Sequence, residues 1–341
     1  MGSRAFITGI SGTALTPDEH AFLREQNPWG FILFKRNVET PAQVAELVRQ
    51  LRDSVGNPDA PVLIDQEGGR VQRLAPPHWP VYPPGAVFGA LYDQDRPAGL
   101  EAAYLASRLI AADLADLGIS VDCLPLADVP IPGSDAVIGD RAYGTTPEKV
   151  AAIARAVTNG LVEGGVLPVL KHIPGHGRAT ADSHAALPTV DTTVSELGLT
   201  DFAAFRPLAD LPMAMTAHVV FSALDAAHPA TTSATIIEQV IRGSIGFQGL
   251  LMSDDVSMNA LQGSIGERTR AILAAGCDMV LHCNGKFDEM QAVADETPIL
   301  TGTALARAER ALASRTAPKA LDRVAGRARL DELMARGSAV A

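Results

Sequence analysis

Short apolar segments alternate with longer amphipathic segments along almost the whole chain. We predict that eight of the short segments are β-strands, because each is a short β-rich run that alternates with a longer helical pattern. The predicted strands are residues 5–9, 30–34, 62–65, 120–124, 168–171, 213–218, 250–253 and 279–282. Most of these runs are apolar throughout, which is typical of a parallel sheet covered by helices on its faces.

The segments between the predicted strands begin with helix-start signals. Thr16 and Thr40 are each followed by a proline and, three residues later, by Glu19 or Gln43. This is the pattern of an N-cap residue with proline at the first helical position. Apolar residues then recur at helical spacing. In the second of these segments they are Val44, Leu47, Val48 and Leu51.

A strand followed by a helix, repeated eight times, predicts an α/β fold with a single (β/α)8 TIM-type barrel. A doubly wound sheet is the alternative. The connections that leave the predicted strands are long, at residues 66–95, 127–145 and 172–193, whereas those that enter them are short. In a barrel the long connections share the C-terminal face, so we expect the active site at the C-terminal ends of the strands.

We expect residues 1–341 to form one catalytic domain. The stretch 303–341 is rich in Ala, Arg and Leu and predicts C-terminal helices packed on the barrel rather than a separate domain. Hydrophobic residues make up 47% of the 341 residues, which is enough for a large core.

Charge and composition narrow the function classes. The net charge of −11 argues against a nucleic-acid binder or a polybasic membrane binder. No window holds the roughly 18 apolar residues of a membrane span, and the first residues lack a signal-peptide pattern. The three cysteines predict reduced thiols rather than a disulfide framework. We therefore expect a cytoplasmic protein with no nucleic-acid or membrane partner. Its oligomeric state is left open and is compatible with a monomer.

Two polar clusters follow predicted strands in the first half of the chain. The segment DQEGGRVQRL at residues 65–74 places Asp65 beside two glycines and the arginines Arg70 and Arg73. A carboxylate that accepts and arginines that donate suit a polyhydroxylated ligand. The alternative is a structural turn with a local ion pair. The segment IGDR at residues 138–141 adds Asp140 and Arg141, again as ligand contacts or as a solvated ion pair.

The densest polar cluster follows the fifth predicted strand. The segment KHIPGHG begins with Lys171 and His172, and DSH follows at residues 182–184. A metal site is disfavoured, because proline and glycine interrupt the helix that a His-x-x-x-His pair needs. Asp182 and His184 stand two positions apart, and in an extended or looped segment such side chains can face the same way. The carboxylate can then orient the imidazole and raise its basicity. The alternative is a mobile polar loop.

The seventh predicted strand ends in two acids, Asp254 and Asp255, within SDDVSM at residues 253–258. An acid at this end of a barrel strand is typical of catalysis. Adjacent side chains point in different directions, so we expect one acid to face the site while Asp255 caps the following turn. His218 is either a residue that lines the site or a buried histidine with satisfied hydrogen bonds.

With these motifs the chain resembles glycoside hydrolase family 3, and within it the bacterial single-domain β-N-acetylhexosaminidases of peptidoglycan recycling. The matching motifs are DQEGGRVQRL, IGDR, KHIPGHG, DSH and SDDVSM, in family order. The resemblance implies that Asp254 is the nucleophile and that His184, assisted by Asp182, is the general acid/base. The positions that it implies for the sugar in the −1 subsite are Asp65, Arg73, Arg141, Lys171 and His172.

The resemblance further implies a retaining exo-β-N-acetylglucosaminidase that removes terminal GlcNAc from muropeptides through a covalent glycosyl-aspartate. Retention requires a nucleophile on one face of the sugar and a proton donor on the other. Histidine suits proton transfer near neutral pH. The substrate is then a small carbohydrate, and neither a metal nor an organic cofactor is required. The alternatives are a β-glucosidase or a β-N-acetylglucosaminide phosphorylase on the same scaffold, or a non-catalytic muropeptide-binding barrel.

Overall fold

Eight parallel strands close into a barrel in the computed structural model, which describes residues 2–179, 183 and 187–338. The strands are β1 Arg4–Thr8, β2 Pro28–Leu33, β3 Val62–Ile64, β4 Val121–Asp122, β5 Leu167–Ile173, β6 Met213–Thr216, β7 Leu250–Asp255 and β8 Met279–His282. Each strand pairs with the next along the chain, and β8 pairs with β1. The predicted (β/α)8 barrel is confirmed, and the doubly wound alternative is wrong.

Helices follow the strands and cover the outside of the barrel. The α-helices are α1 Pro17–Gln26, α2 Pro41–Ser54, α3 Gly85–Gln94, α4 Arg96–Asp116, α5 Pro147–Glu163, α6 Val194–Leu199, α7 Asp201–Phe205, α8 Ile265–Ala275, α9 Phe287–Glu296, α10 Gly302–Ala313 and α11 Arg323–Ser338. A π-helix, Ile236–Ser244, precedes β7. The two predicted helix starts are correct, since the hydroxyls of Thr16 and Thr40 accept from the amides of Glu19 and Gln43.

Alternate strand residues divide between two packed layers, as the period of two requires. One layer fills the barrel interior, and each strand contributes to it. Its members include Ile7, Ile32, Leu63, Val121, Val169, Met215, Met252 and Leu281. The other layer faces the surrounding helices, and its strand residues include Phe6, Phe31, Ile64, Leu170, Leu251 and Val280. The interior is therefore a packed core, and a ligand pocket on the barrel axis has to lie beyond the strand ends.

The helix α10 covers the N-terminal end of the barrel. Ala308 and Ala311 of this helix join the interior layer, and Arg307 reaches Asp278, just before β8, at 2.8 Å. The helix α11 packs on α4 through the buried Leu330 and Leu333. The α10 contacts therefore cover the end of the barrel opposite the long connections, and α11 adds to the outer helical layer.

Two short features of the long connections are absent from the sequence prediction. Gln66–Gly68 and Val71–Gln72 form an antiparallel hairpin after β3, and Thr189–Val190 pairs with Val220–Phe221. Both pairs are too short to produce a periodic pattern. They fix parts of the loops on the C-terminal face.

No helix within residues 2–179, 183 and 187–338 is both long and apolar enough to cross a membrane.

Candidate active site

A pocket of about 300 Å³ opens at the C-terminal ends of the strands. It brings together six residues that the sequence motifs predict for the site, from separate segments of the chain. They are Asp65, Arg73, Arg141, Lys171, His172 and Asp254. Ile32, Met215 and Leu281 form part of its apolar floor, and Phe34 lies on its wall. The six predicted residues are spread over the chain from position 65 to position 254, so it is the fold of the barrel that brings them together.

Lys171 lies at the centre of a buried charge cluster on the pocket wall. Its Nζ is 2.9 Å from Asp65 Oδ1 and 2.7 Å from Glu67 Oε1, and the side chain is 2% exposed. Arg73 donates to the other Asp65 oxygen at 3.0 Å. Burial opposes the ionisation of Asp65, but Lys171 and Arg73 hold its pKa below the ordinary value. Asp65 is therefore a fixed carboxylate that can accept from sugar hydroxyls.

Glu67 and Arg141 form a bidentate pair beside this cluster. Arg141 Nε and Nη2 lie 2.9 and 2.8 Å from the two carboxylate oxygens of Glu67. Burial raises the pKa of Glu67, but Lys171 and Arg141 outweigh it and hold the value at about 2. Arg141 enters the pocket, whereas its neighbour Asp140 pairs with Arg70 on the exposed rim. In the IGDR segment, Arg141 thus lines the pocket, whereas Asp140 belongs to a solvated ion pair.

The hairpin after β3 holds Arg73 at the pocket. Gly68 and Gly69 have φ of +96° and +56°, and a Cβ on Gly68 would lie 2.4 Å from the carbonyl oxygen of Pro83. The amide oxygen of Gln66 accepts from the backbone N–H groups of Arg73 and Leu74, both at 2.9 Å. The glycines allow the turn, and Gln66 closes it, so that Arg73 returns to Asp65.

His172 is oriented by Asp128, a residue that the sequence motifs do not identify. His172 Nδ1 lies 2.7 Å from Asp128 Oδ2, and the backbone N–H of His176 donates to Oδ1 at 2.7 Å. Burial raises the pKa of Asp128, but His172 outweighs it and lowers the value. The signal in the sequence is a single acid within the apolar run LPLADVPI, directly after the fourth strand.

His176 lies behind His172, with ring centroids 5.8 Å apart. Its Nε2 is 3.1 Å from the hydroxyl of Ser183, and both side chains are buried. Burial and the neighbouring His172 lower the pKa of His176 to about 4, so the ring is neutral at neutral pH. Ser183 stands between Asp182 and His184 in the sequence. Those two predicted acid/base residues lie outside the described residues.

Asp254 and Asp255 at the end of β7 have different surroundings. Asp254 Oδ1 accepts from the backbone N–H of Asp255 at 2.8 Å. The Asp255 carboxylate accepts from the backbone N–H and the hydroxyl of Ser257, at 3.0 and 2.6 Å. It also accepts from the backbone N–H of Cys283 at 3.1 Å. As expected, the Asp255 side chain holds the turn after the strand, but it also lines the pocket, so the expectation that only one of the two acids faces the site is wrong.

His218 and the cysteines are core residues. His218 is fully buried, with Nδ1 2.7 Å from Thr231 Oγ1 and Nε2 3.0 Å from the carbonyl oxygen of Asp255. It is thus a satisfied histidine behind the pocket and is not a lining residue. Cys123, Cys277 and Cys283 are buried and free. Among the described parts of the chain, no three His, Cys, Asp or Glu side chains are arranged to hold a metal ion.

The chemistry of the pocket follows from its charges. Buried cations and carboxylates at fixed positions can hold several hydroxyl groups of one sugar ring. A carboxylate at the end of β7 can attack an electrophilic carbon that these groups position. The pocket is closed on the side of the barrel, which suits the terminal sugar of an oligosaccharide.

The comparisons with known proteins agree with this geometry. The glycosyl hydrolase family 3 N-terminal domain profile matches residues 11–312. A Beta-hexosaminidase of Alkalilimnicola ehrlichii is 39% identical over 282 residues, which cover 82% of this chain and 80% of that protein. A Beta-hexosaminidase of Methylococcus capsulatus is 37% identical over 326 residues, which cover 94% and 92%.

A solved structure is similar over nearly the whole length of both chains. It is NagZ from Neisseria gonorrhoeae in complex with N-trifluoroacetyl-D-glucosamine, with a TM-score of 0.87 and 32% identity. The match covers 98% of this chain and 99% of that chain.

Proposed function

The chain belongs to glycosyl hydrolase family 3 and is a glycoside hydrolase, and on that premise we propose that it is a retaining exo-β-N-acetylglucosaminidase. The prediction of the family and of the enzyme class is confirmed. The membership also sets aside the alternative of a non-catalytic sugar-binding barrel. The specific substrate, the covalent mechanism and the roles of the site residues are the proposal.

The position of Asp254 is the observation that carries the proposal. Its carboxylate is at the pocket, at the C-terminal end of a barrel strand, together with Asp65, Lys171 and Arg73. A sugar ring held by these three residues, with Arg141 and His172, presents C1 to the end of β7. In a retaining enzyme the protein nucleophile occupies this position.

Hydrolysis takes place in two displacements. In the first, an oxygen of Asp254 bonds to C1 while the glycosidic C1–O bond breaks, and His184 gives its proton to the departing oxygen. In the second, neutral His184 takes a proton from water, the water oxygen bonds to C1, and the bond to Asp254 breaks. Asp182 orients His184 and stabilises its protonated, imidazolium form.

We propose terminal GlcNAc as the sugar and muropeptides of the GlcNAc-1,6-anhydroMurNAc-peptide type as the substrates, cleaved in the cytoplasm. Support comes from the two Beta-hexosaminidases and from the glucosamine derivative in the Neisseria NagZ structure. The whole chain acts as one catalytic unit in this proposal, with α10 and α11 as structural helices. No cofactor takes part.

The test is a screen of aryl β-glycosides of GlcNAc, glucose and xylose, with and without phosphate. We expect turnover of the GlcNAc substrate, independent of phosphate, with GlcNAc as the first product in the β-configuration. Asp254→Asn should lower kcat by about 10³-fold or more, because a neutral amide cannot attack C1. Preference for the glucoside would indicate the β-glucosidase alternative. Formation of GlcNAc-1-phosphate would indicate the phosphorylase.

A further inference from the structure

Asp255, the residue that follows Asp254, is held from both strands that neighbour β7. On one side of β7, the Asp255 carboxylate accepts from the backbone N–H of Cys283, the residue after β8. On the other side, His218, two residues beyond β6, lies 3.0 Å from the Asp255 carbonyl oxygen through Nε2. We propose that Asp255 and His218 are positioning residues that fix the backbone at residue 255 and thereby aim the Asp254 carboxylate at C1.

The contact that transmits the effect is the backbone N–H of Asp255. It donates to Asp254 Oδ1 at 2.8 Å, so the orientation of the peptide plane fixes the orientation of the carboxylate. A hydrogen bond from a fixed N–H also stabilises the ionised form that must attack. Any rotation of the peptide would move the N–H and the carboxylate together.

The end of β7 needs such fixing, because it leaves the regular ladder. Met252 pairs with Met279 but Asp255 pairs with Leu281, so three residues of β7 span two residues of β8. A register shift of this kind re-aims side chains and is common near active sites. Asp255 stabilises the shifted end through three acceptor contacts, two with Ser257 and one with Cys283.

The two anchors are themselves fixed. Arg36 donates to the carbonyl oxygen of Cys283 and to that of Ile10, so the segment after β8 is tied to the segments after β2 and β1. His218 is fully buried, and its Nδ1 lies 2.7 Å from Thr231 Oγ1. With Nε2 held by the Asp255 carbonyl and Nδ1 by the Thr231 hydroxyl, the ring has one orientation.

The inference rests on the proposed nucleophile and is tested with matched pairs of variants. Asp255→Ala removes every side-chain acceptor, whereas Asp255→Asn keeps an oxygen for the backbone N–H groups and an amide that can donate to the Ser257 hydroxyl. His218→Leu removes the donor to the Asp255 carbonyl, whereas His218→Gln can replace it. In each pair the second variant restores the contact without restoring the residue.

The measurement is the rate at which a fluorinated GlcNAc glycoside forms a stable glycosyl-enzyme, with the modified residue located by peptide mass spectrometry. We expect Asp255→Ala and His218→Leu to slow the reaction by roughly 100-fold, the scale of a misplaced reacting group. The Kd of GlcNAc should stay within about twofold of wild type, because the residues proposed to hold the sugar, among them Asp65, Arg73 and Lys171, are unchanged. Asp255→Asn and His218→Gln should recover most of the rate.

Two kinds of outcome overturn the inference, and they are distinguishable. An adduct on Asp254 that forms at the wild-type rate in Asp255→Ala and His218→Leu overturns the positioning role alone. The positioning role also fails if rate and GlcNAc affinity fall together and the conservative variants recover neither, since that pattern indicates a structural role. An adduct on another residue in the wild-type enzyme overturns the positioning role and the nucleophile assignment together.

Discussion

The imidazole of His172 and the carboxylate of Asp128 form a buried pair, with His172 Nδ1 2.7 Å from Asp128 Oδ2. Asp128 is fully buried and also accepts from the backbone N–H of His176, so it cannot turn away from the ring. The pair therefore fixes the ring plane of His172 and leaves Nε2 as the nitrogen that can contact a ligand in the pocket.

Asp128→Asn should weaken catalysis while the protein remains folded. The amide keeps an oxygen for the backbone N–H groups but replaces the charge that holds the His172 ring. Loss of a hydrogen bond to a charged group corresponds to about 1.5–3 kcal/mol, so we expect kcat/KM to fall by about 10- to 150-fold. Steady-state kinetics on an aryl GlcNAc glycoside gives this ratio.

Asp128→Leu is the comparison variant for stability. It removes the acceptor for the backbone N–H groups of His172 and His176, so its free energy of unfolding should fall clearly below that of Asp128→Asn. If Asp128→Asn and wild type have equal kcat/KM, the charge of Asp128 has no role in orienting His172.

Lys171 and Arg73 both contact Asp65, but their replacement should have different consequences. Lys171 is buried between two carboxylates, and Lys171→Met leaves both of them without this cation. Removing one partner from a buried ion pair costs about 3–5 kcal/mol. We expect a loss of unfolding free energy on that scale together with loss of activity. Urea denaturation and kcat/KM measure the two effects.

Arg73→Ala is the contrasting variant, because Asp65 keeps Lys171 as its partner. The Arg73 side chain is 24% exposed, whereas that of Lys171 is 2% exposed, so loss of Arg73 should cost less unfolding free energy than loss of Lys171. Its effect should fall on kcat/KM, by about 10- to 150-fold for one lost charged donor. Equal stability losses in Arg73→Ala and Lys171→Met would contradict this division of roles.

The hydropathy pattern predicts the strands well and their ends less well, for a physical reason. It predicts that the fifth strand ends at Lys171 and the seventh at Ser253, but β5 continues to Ile173 and β7 to Asp255. In both cases the added residues include polar side chains of the site. A hydropathy pattern ends where polarity begins, whereas the backbone ladder continues to carry those side chains into the pocket.

Partners within the site are harder to predict than its members. The motifs identify Asp65, Arg73 and Lys171, but nothing local specifies that Lys171 lies between Asp65 and Glu67. Asp128 follows an isolated bridge between Leu126 and Lys171, a contact that exists only in the folded barrel. Its role therefore depends on tertiary pairing that no spacing along the chain encodes.

His184→Ala tests the proposed acid/base through the leaving group. A poor, unactivated leaving group needs protonation to depart, whereas an activated phenolate does not. We expect a much larger loss of kcat/KM on the poor leaving group. Azide should partly restore turnover of the activated substrate, because an anion attacks the glycosyl-enzyme without a general base.

Asp182→Asn should show a milder form of the same pattern, since it misorients the imidazole without removing it. Equal losses on both leaving groups, with no rescue by azide, would restrict His184 to sugar binding. The acid/base would then have to be another acid of the loops, such as Glu67 or Asp140. Glu67 is engaged with Arg141 and Lys171, and Asp140 with Arg70 on the rim, so either acid would first have to leave its partner to donate a proton.

Replacement of Asp122 by asparagine should stabilise the protein relative to wild type, by an amount that grows as the pH rises. It is fully buried in β4; its Oδ1 accepts from the backbone N–H of Gln66 at 3.0 Å, and its Oδ2 has no hydrogen-bond partner among the described residues. Burial raises the pKa of this carboxyl well above its ordinary value, and the hydrogen bond from Gln66 offsets only part of the effect. The folded protein therefore holds a proton that the unfolded chain releases above about pH 4.

The sign follows from proton linkage. A carboxyl group whose pKa is raised in the folded state favours folding below its unfolded pKa, and that contribution is lost as the pH rises above it. Asp122→Asn keeps the Oδ1 acceptor and cannot ionise. Relative to wild type, its free energy of unfolding should increase between pH 4 and pH 7, by up to about 1.4 kcal/mol per pH unit while the folded wild-type carboxyl group stays protonated.

Urea denaturation of the Asp122→Asn variant and of wild type at the two pH values gives this difference in unfolding free energy. It cancels the contributions of Asp65, Glu67 and Asp128, whose depressed pKa values act in the opposite direction in both proteins. A stability difference between variant and wild type that is the same at both pH values would mean that Asp122 ionises alike in the folded and unfolded chains.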